Sequence, residues 1–234
     1  MQAVILSGGL GTRLRSVDST VPKPMIKVAG RPFLEHMILM LEGHGLRKFL
    51  FLVSYKSEIV IEFLKRIGAE RDLEIDWSIE DDPAGTGGAL KLAEDKLAED
   101  FLLLNGDSYL DIDYQAMIAG YQSAGCLMMV AAYDDSKATD VNKNIAVEQG
   151  GHVVLYDKSG SDVRLNYIDA GALMCSKKIL GLIEKGKKCS LEQEIYAKVM
   201  ERRAMRAFPV KQRFYDIGTP DRLKEFEQVM QGQK

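Results

Sequence analysis

Residues 6–25 read LSGGLGTRLRSVDSTVPKPM, directly after the apolar run AVI, and hold three glycines, two arginines and one lysine, the lysine between two prolines. An apolar run that stops at glycines reads as a buried strand feeding a loop. Gly8, Gly9 and Gly11 leave backbone N–H groups free to approach a phosphate, which makes the loop a candidate phosphate cradle. It is not the dinucleotide pattern G-x-G-x-x-G, because no third glycine falls in register, and no G-x-x-x-x-G-K-S/T occurs in the chain. Alone, such a turn serves backbone geometry about as often as it serves a ligand.

Outward from this loop, the chain alternates. Pro32 falls at the first turn of a helix in which Phe33, Leu34, Met37, Ile38 and Leu41 recur at helical spacing as far as Gly43 and Gly45. A strand is predicted over 48–53, a helix over 58–67, a strand over 73–80, a helix over 88–97 and a buried strand over 101–105. Repeated strand-then-helix order implies a three-layer α/β fold with a mainly parallel sheet, whose ligands sit beyond the carboxyl ends of the strands. After Tyr121, strand-like runs fall at 127–133, 145–147, 153–156 and 168–175, helical ones at 176–184 and 191–202, and further strand-like runs at 204–210 and 214–217. Thr219 as cap, Pro220 at the first helical position and Asp221 in the first turn open a last helix.

With 234 residues, 46% of them hydrophobic and 28% charged, the chain suits one soluble domain with a full core. A net charge of −3 gives the surface no general pull on nucleic acid or an anionic membrane, so an anion must be held by a local cluster and the expected partner is small. Cys126, Cys175 and Cys189 show no metal or redox spacing. The start MQAVILSGG lacks the pattern of a signal peptide, and a reduced cytoplasm is the expected compartment. His36, His44 and His152 form no metal spacing and read as structural or surface residues. Met37, Met40, Met128 and Met129 read as core filling, and Lys185, Lys187 and Lys188 as a solvated turn.

Taken as a unit, G-G-x-G-T-R-L followed by P-K-P-M resembles the signature of the sugar-1-phosphate nucleotidyltransferases. The resemblance runs along nearly the whole chain, through G-T-G-G-A from Gly85, L-N-G-D ending at Asp107, and Y-D-I-G-T-P from Tyr215. It is strongest to short bacterial members that act on heptose 1-phosphates and related sugar 1-phosphates. The resemblance implies a three-layer α/β/α nucleotidyltransferase (Rossmann-like) fold. It also implies the reaction NTP + sugar 1-phosphate → NDP-sugar + pyrophosphate with Mg²⁺ as cofactor. GTP and heptose 1-phosphate are favoured, with CTP, UTP, dTTP and ATP open as other donors, residues 1–121 serving mainly the NTP and 122–234 mainly the sugar phosphate.

One anion attacks another in this reaction, so mutual repulsion and the charge on departing pyrophosphate dominate the barrier. The planar donor fork of Arg13 suits triphosphate oxygens, and Lys23, a point charge held between two prolines, suits the α-phosphate; the family gives these positions similar roles. Asp107 and Asp216 are the carboxylates that, by resemblance, hold the metal. Leu6, Ser7, Gly8, Gly9, Gly11, Thr12, Glu80, Gly85, Thr86 and Gly106 are expected around the nucleotide. The G-T-G-G stretch ahead of a helix would let the base lie against backbone, although glycines there also serve helix ends.

Lys158 stands where many members have the lysine of a Glu-Lys pair that touches the sugar phosphate, with Asp157 in place of the Glu. Asp169 and Gly171 stand where several members have Asn-x-Gly at the sugar hydroxyls. An ionised Asp only accepts, which changes the sugar it can recognise. Two other readings remain open: a non-catalytic subunit that binds NTP or NDP-sugar, and a nucleotidyltransferase for another phosphorylated acceptor. A homo-oligomer is compatible with all three.

Overall fold

The computed structural model describes residues 1–9, 14, 18–135 and 139–232. Gln2–Leu6 is β1, with Ala3, Val4 and Ile5 fully buried. A strand apolar on both faces is stable only between two helical layers, and β1 lies inside a seven-stranded sheet with a helical layer on each side. It pairs in parallel with β4 (Lys48–Val53) on one side and with β6 (Asp100–Asn105) on the other.

A small hairpin of β2 (Lys27–Val28) and β3 (Arg31–Pro32) leads into α1 (Phe33–Gly43), which crosses to β4. Helix α2 (Ser57–Arg71) then crosses to the parallel edge strand β5 (Glu74–Ile79). Helix α3 (Gly85–Leu92) carries the chain back to β6, beyond β1. Succession therefore reverses direction at β1, and the reversal opens a crevice at its carboxyl end.

From β6 the chain forms the two-residue β7 (Ser108–Tyr109), α4 (Tyr114–Ala124) and β8 (Met128–Tyr133). A side hairpin follows, β9 (Ile145–Val147) against β10 (Val153–Tyr156), before β11 (Ile168–Ser176) inserts antiparallel between β6 and β8. Helix α5 (Tyr196–Glu201) precedes β12 (Met205–Val210), parallel to β8 at the far edge. The short β13 (Tyr215–Asp216) pairs with β7, and α6 (Pro220–Met230) ends the fold. Side chains alternate between two cores: Ile5, Phe49 and Leu102 lie under α1, α2, α4 and α6, whereas Val4, Leu50 and Leu103 lie under α3 and α5.

Several elements differ from the sequence reading. Gly85–Leu92 is the helix instead of 88–97, so the G-T-G-G residues form its first turn rather than a loop before it, and a separate 3-10 turn covers Glu94–Lys96. The stretch 176–184 holds a 3-10 helix, Lys177–Leu182, and 191–202 opens with a turn of π-helix, Leu191–Ile195, before α5. Helical periodicity does not separate these forms, because all of them bury the same apolar stripe. Helix α4, passed over in the sequence reading, is capped by Asp113, which accepts the Ala116 N–H at 2.9 Å. Pro32 is the residue before α1, not its first, whereas Thr219 caps α6 as expected by accepting the Arg222 N–H.

His36 and His44 bond to the Val28 carbonyl and to Asp111, and His152 meets Arg206. The cysteines are unpaired, and Met37, Met128 and Met129 are buried. Among the described residues no helix is long and apolar enough to cross a membrane.

Candidate active site

The crevice at β1 is a cleft of about 490 Å³. Leu6, Ser7, Gly8 and Gly9 form its floor, Gly106 and Asp107 follow β6 on one side, and Glu80 follows β5 on the other. Gly85 and Thr86 close the rim, and Lys23 reaches in from a 3-10 turn whose Pro24 is buried. The expected Gly11, Thr12 and Arg13 lie outside the described residues.

Charge in the cleft is arranged in pairs. Lys23 Nζ donates to Asp107 Oδ2 at 2.6 Å; the lysine side chain is 10% exposed and the carboxylate 41%. Asp216 arrives beside Asp107 through the ladder of β7 and β13, and the Ile217 N–H donates to the Asp107 carbonyl at 3.0 Å. Its own carboxylate does not line the cleft; it accepts from the Gly218 N–H at 2.7 Å and from Arg222 Nη1 at 2.9 Å, and Gly218 lines the wall instead. Phe226 of α6, fully buried, packs on Tyr109 and Tyr215 with ring centroids 5.0 and 6.1 Å away. Burial of such a ring is worth about 2–3 kcal/mol, which holds the ladder, and Asp216 with it, in place beside Asp107.

Glu80 is buried, and its Oε2 accepts the Ala84 N–H at 2.9 Å. Loss of hydration pushes its carboxyl above the usual range, against the pull of that bond. Among the described residues the buried Ser7 hydroxyl meets no hydrogen-bond partner, a polar atom held at the cleft floor.

A second cavity of about 400 Å³ adjoins the first. Gly85, Thr86, Asn105 and Glu192 line both, so they form a shared wall. Lys158 and Asp169 line the second cavity together with Asn144, Tyr156 and Tyr196. Asp169 Oδ1 accepts the Gly171 N–H at 2.9 Å, and its Oδ2 accepts the Tyr196 hydroxyl at 3.1 Å. Burial outweighs these bonds and raises its carboxyl to about 6.

Gly171, expected at the sugar, is not among the lining residues. It sits in a register shift of β11 with φ +78°, where a Cβ would lie 3.0 Å from Asn105 Nδ2, and its N–H fixes one oxygen of Asp169.

The G-T-G-G turn is organised by a segment that sequence reasoning missed. The Cys189 carbonyl accepts the Gly87 and Gly88 N–H groups at 2.9 and 3.3 Å, and a Cβ on Gly85 would lie 2.5 Å from that oxygen. These glycines admit a neighbouring strand of backbone, which takes up two of the amides that helix α3 would otherwise present to a ligand. Thr86 Oγ1 donates to Glu192 Oε2 at 2.8 Å and accepts the Leu191 N–H at 2.8 Å.

A family model described as nucleotidyl transferase matches residues 2–232. The chain belongs to the nucleotidyl transferase family. Among individual nucleotidyl transferases, the D-glycero-alpha-D-manno-heptose 1-phosphate guanylyltransferase of Campylobacter jejuni is 32% identical over 97% of this chain and 98% of its own. The mannose-1-phosphate guanyltransferase of Saccharomyces cerevisiae is 31% identical over 94% of this chain, which spans only 62% of that relative's length. The crystal structure of HddC from Yersinia pseudotuberculosis, complexed with GMP-PN, superposes with a TM-score of 0.79 at 30% identity, covering 98% of this chain and 99% of the other. A nucleotidyl transferase needs room for two substrates, and the walls just described separate two cavities.

Proposed function

We propose that the chain transfers a guanylyl group from GTP to a sugar 1-phosphate, with heptose 1-phosphate the favoured acceptor, and releases pyrophosphate. The observation that carries this reading is the shared wall of Gly85, Thr86, Asn105 and Glu192, across which one cavity meets the other. An oxygen of the acceptor phosphate forms a bond to the α-phosphorus as the bond to the β-phosphate breaks, and the electron pair leaves with pyrophosphate. No protein nucleophile is needed, and catalysis is positioning and charge neutralisation. Lys23 supplies positive charge at the α-phosphate, with Asp107 fixing its position beforehand. Lys158 meets the acceptor phosphate, and Asp169 accepts from sugar hydroxyls.

Magnesium suits the donor set. Asp107, in the turn between β6 and β7, and Asp216, in β13, offer hard carboxylate oxygens on neighbouring backbone, with the Ile217 N–H bonded to the Asp107 carbonyl. That matches a cation held by one or two carboxylates together with phosphates and water. Once bound there, it would neutralise charge on the reacting phosphates.

Glu80 supports guanine. One oxygen is held by Ala84, while a Cβ on Gly8 would lie 3.0 Å from the other, Oε1, at the cleft floor. An ionised carboxylate only accepts, and guanine presents two adjacent donors on one edge. Adenine and cytosine set an acceptor beside the amino group, and uracil flanks its single donor with carbonyls. The Campylobacter and Saccharomyces relatives, both guanylyl-transferring by name, agree on this base and differ on the sugar. Three unpaired cysteines fit a reduced cytoplasm.

The test is pyrophosphate release over a panel of NTPs with heptose, mannose and glucose 1-phosphates. Fastest turnover with GTP and heptose 1-phosphate is expected. Turnover led by another pair would reassign the substrates, and nucleotide binding without turnover on any acceptor would make the chain a binding subunit.

A further inference from the structure

Asp216 is held by more than its place in the β7 and β13 ladder. Arg222, in the first turn of α6, donates from Nη1 to Asp216 Oδ2 at 2.9 Å, and from Nε and Nη2 to Asp140 Oδ2 at 3.0 and 2.9 Å. Gly218 takes the other oxygen of Asp216, Oδ1. Both oxygens of Asp216 are therefore engaged, just as Asp107 Oδ2 is engaged by Lys23.

We propose that Arg222 is a positioning residue that stands in for a divalent cation at Asp216 and yields Oδ2 to the cation while keeping its charge paired on Asp140. The proposal rests on the reading that Asp107 and Asp216 hold the metal.

The geometry favours a placeholder over a fixed strut. Arginine's rigid fork offers separate nitrogens to separate partners, so losing the Nη1 contact leaves Nε and Nη2 in place. A lysine bridging two carboxylates through one nitrogen would have no such division. The Asp216 and Arg222 side chains are 15% and 25% exposed, so an unpaired guanidinium would be costly there; Asp140, 68% exposed, provides the second anchor at the solvent edge. Phe226 of α6 is fully buried beneath Tyr109 and Tyr215, so the guanidinium can leave Asp216 without the helix moving. Among the described residues, Asp107 pairs with Lys23, and Asp140 and Asp216 pair with Arg222.

Direct Mn²⁺ binding to the purified protein without nucleotide, read by the EPR signal of free Mn²⁺, tests this. Removing the competing cation in Arg222→Met should tighten Mn²⁺ binding by up to about five-fold, and Arg222→Gln, which keeps a hydrogen-bond donor but no charge, should tighten it as well. Asp140→Asn should weaken binding, because Arg222 then has Asp216 alone. The double variant Arg222→Met with Asp140→Asn should behave like Arg222→Met. If Asp216→Asn abolishes binding but the two Arg222 variants weaken it or leave it unchanged, the metal reading stands and the placeholder falls. If Asp216→Asn binds Mn²⁺ as the unaltered protein does, both fall.

Discussion

Lys23 and Asp107 stand 84 residues apart in the chain, and their side chains meet at 2.6 Å. The lysine is nearly enclosed while its partner faces the cleft, so the ammonium is aimed by the carboxylate toward the space a phosphate would take. Lys23→Ala should lower kcat by about 10²-fold or more, with little effect on the fold. Water can replace the lysine at the half-open Asp107, so the stability loss should be about 1 kcal/mol. Lys23→Arg should also be slow, because a planar fork does not fit a point-charge site. Near-normal kcat in a folded Lys23→Ala protein would remove the lysine from the chemistry.

Asp107→Asn and Asp216→Asn should each sharply raise the Mg²⁺ concentration needed for turnover. Two ligands of one ion do not act independently, so the double variant should be little worse than either single one. Activity measured against Mg²⁺ concentration for all three proteins decides the matter, and defects that multiply would mean separate roles.

Glu80→Gln keeps an acceptor for the Ala84 N–H and replaces the other oxygen with a donor. A donor facing guanine's donors should cost about 1–3 kcal/mol, so preference for GTP over the other NTPs should drop by roughly ten-fold or more. Ratios of kcat/KM across the NTP panel measure this. An unchanged ranking would move base recognition elsewhere.

Lys158 is exposed at the second cavity, away from the cleft that holds Lys23. Lys158→Ala should raise KM for the sugar phosphate and leave NTP affinity nearly unchanged, as judged by acceptor kinetics beside calorimetry of NTP binding. Loss of NTP affinity with normal acceptor KM would assign this lysine to the wrong substrate.

Asp169 makes folding stability depend on pH. Its carboxyl is raised to about 6 in the folded protein, against an ordinary 3.8 that the unfolded chain should show. The folded state thus holds a proton that the unfolded state gives up. Its contribution is complete below the lower value and is lost as pH rises through the upper one. Asp169→Asn removes the titration, and its amide can still accept from Gly171 and donate to Tyr196. Between about pH 4 and pH 7 the variant should gain up to about 3 kcal/mol on the unaltered protein, as followed by urea unfolding. A constant difference across that range would mean that Asp169 titrates normally.

The strand and helix order around β1 was legible because its period is local: Gln2–Leu6, Lys48–Val53 and Asp100–Asn105 are apolar runs bounded by polar residues and loops. Thr219 and Pro220 marked the start of α6 for the same reason. The shared wall was not legible. Thr86 meets Glu192 across 106 residues, and nothing in either stretch announces the other. Cys189 looked like a lone thiol, whereas its contribution to the G-T-G-G turn is a backbone carbonyl, which side-chain identity does not encode. Gly171 donates its N–H to Asp169 Oδ1, a local bond that the spacing of the two residues does not announce. Arg222 lay hidden behind its role as a helix residue, since its partners come from residue 140 and from β13.

The insertion of β11 between β6 and β8 governs how a growing chain acquires this fold. When the ribosome has released roughly half of it, β1, β4, β5 and β6 can already pair in parallel, but β6 presents a bare edge until Ile168–Ser176 emerges. Such an edge invites pairing with other nascent chains, and long-range insertion is slow compared with helix formation. The cleft is still missing Glu192 and Gly218 at that stage. The wall of the cleft is therefore completed only once residue 218 has emerged.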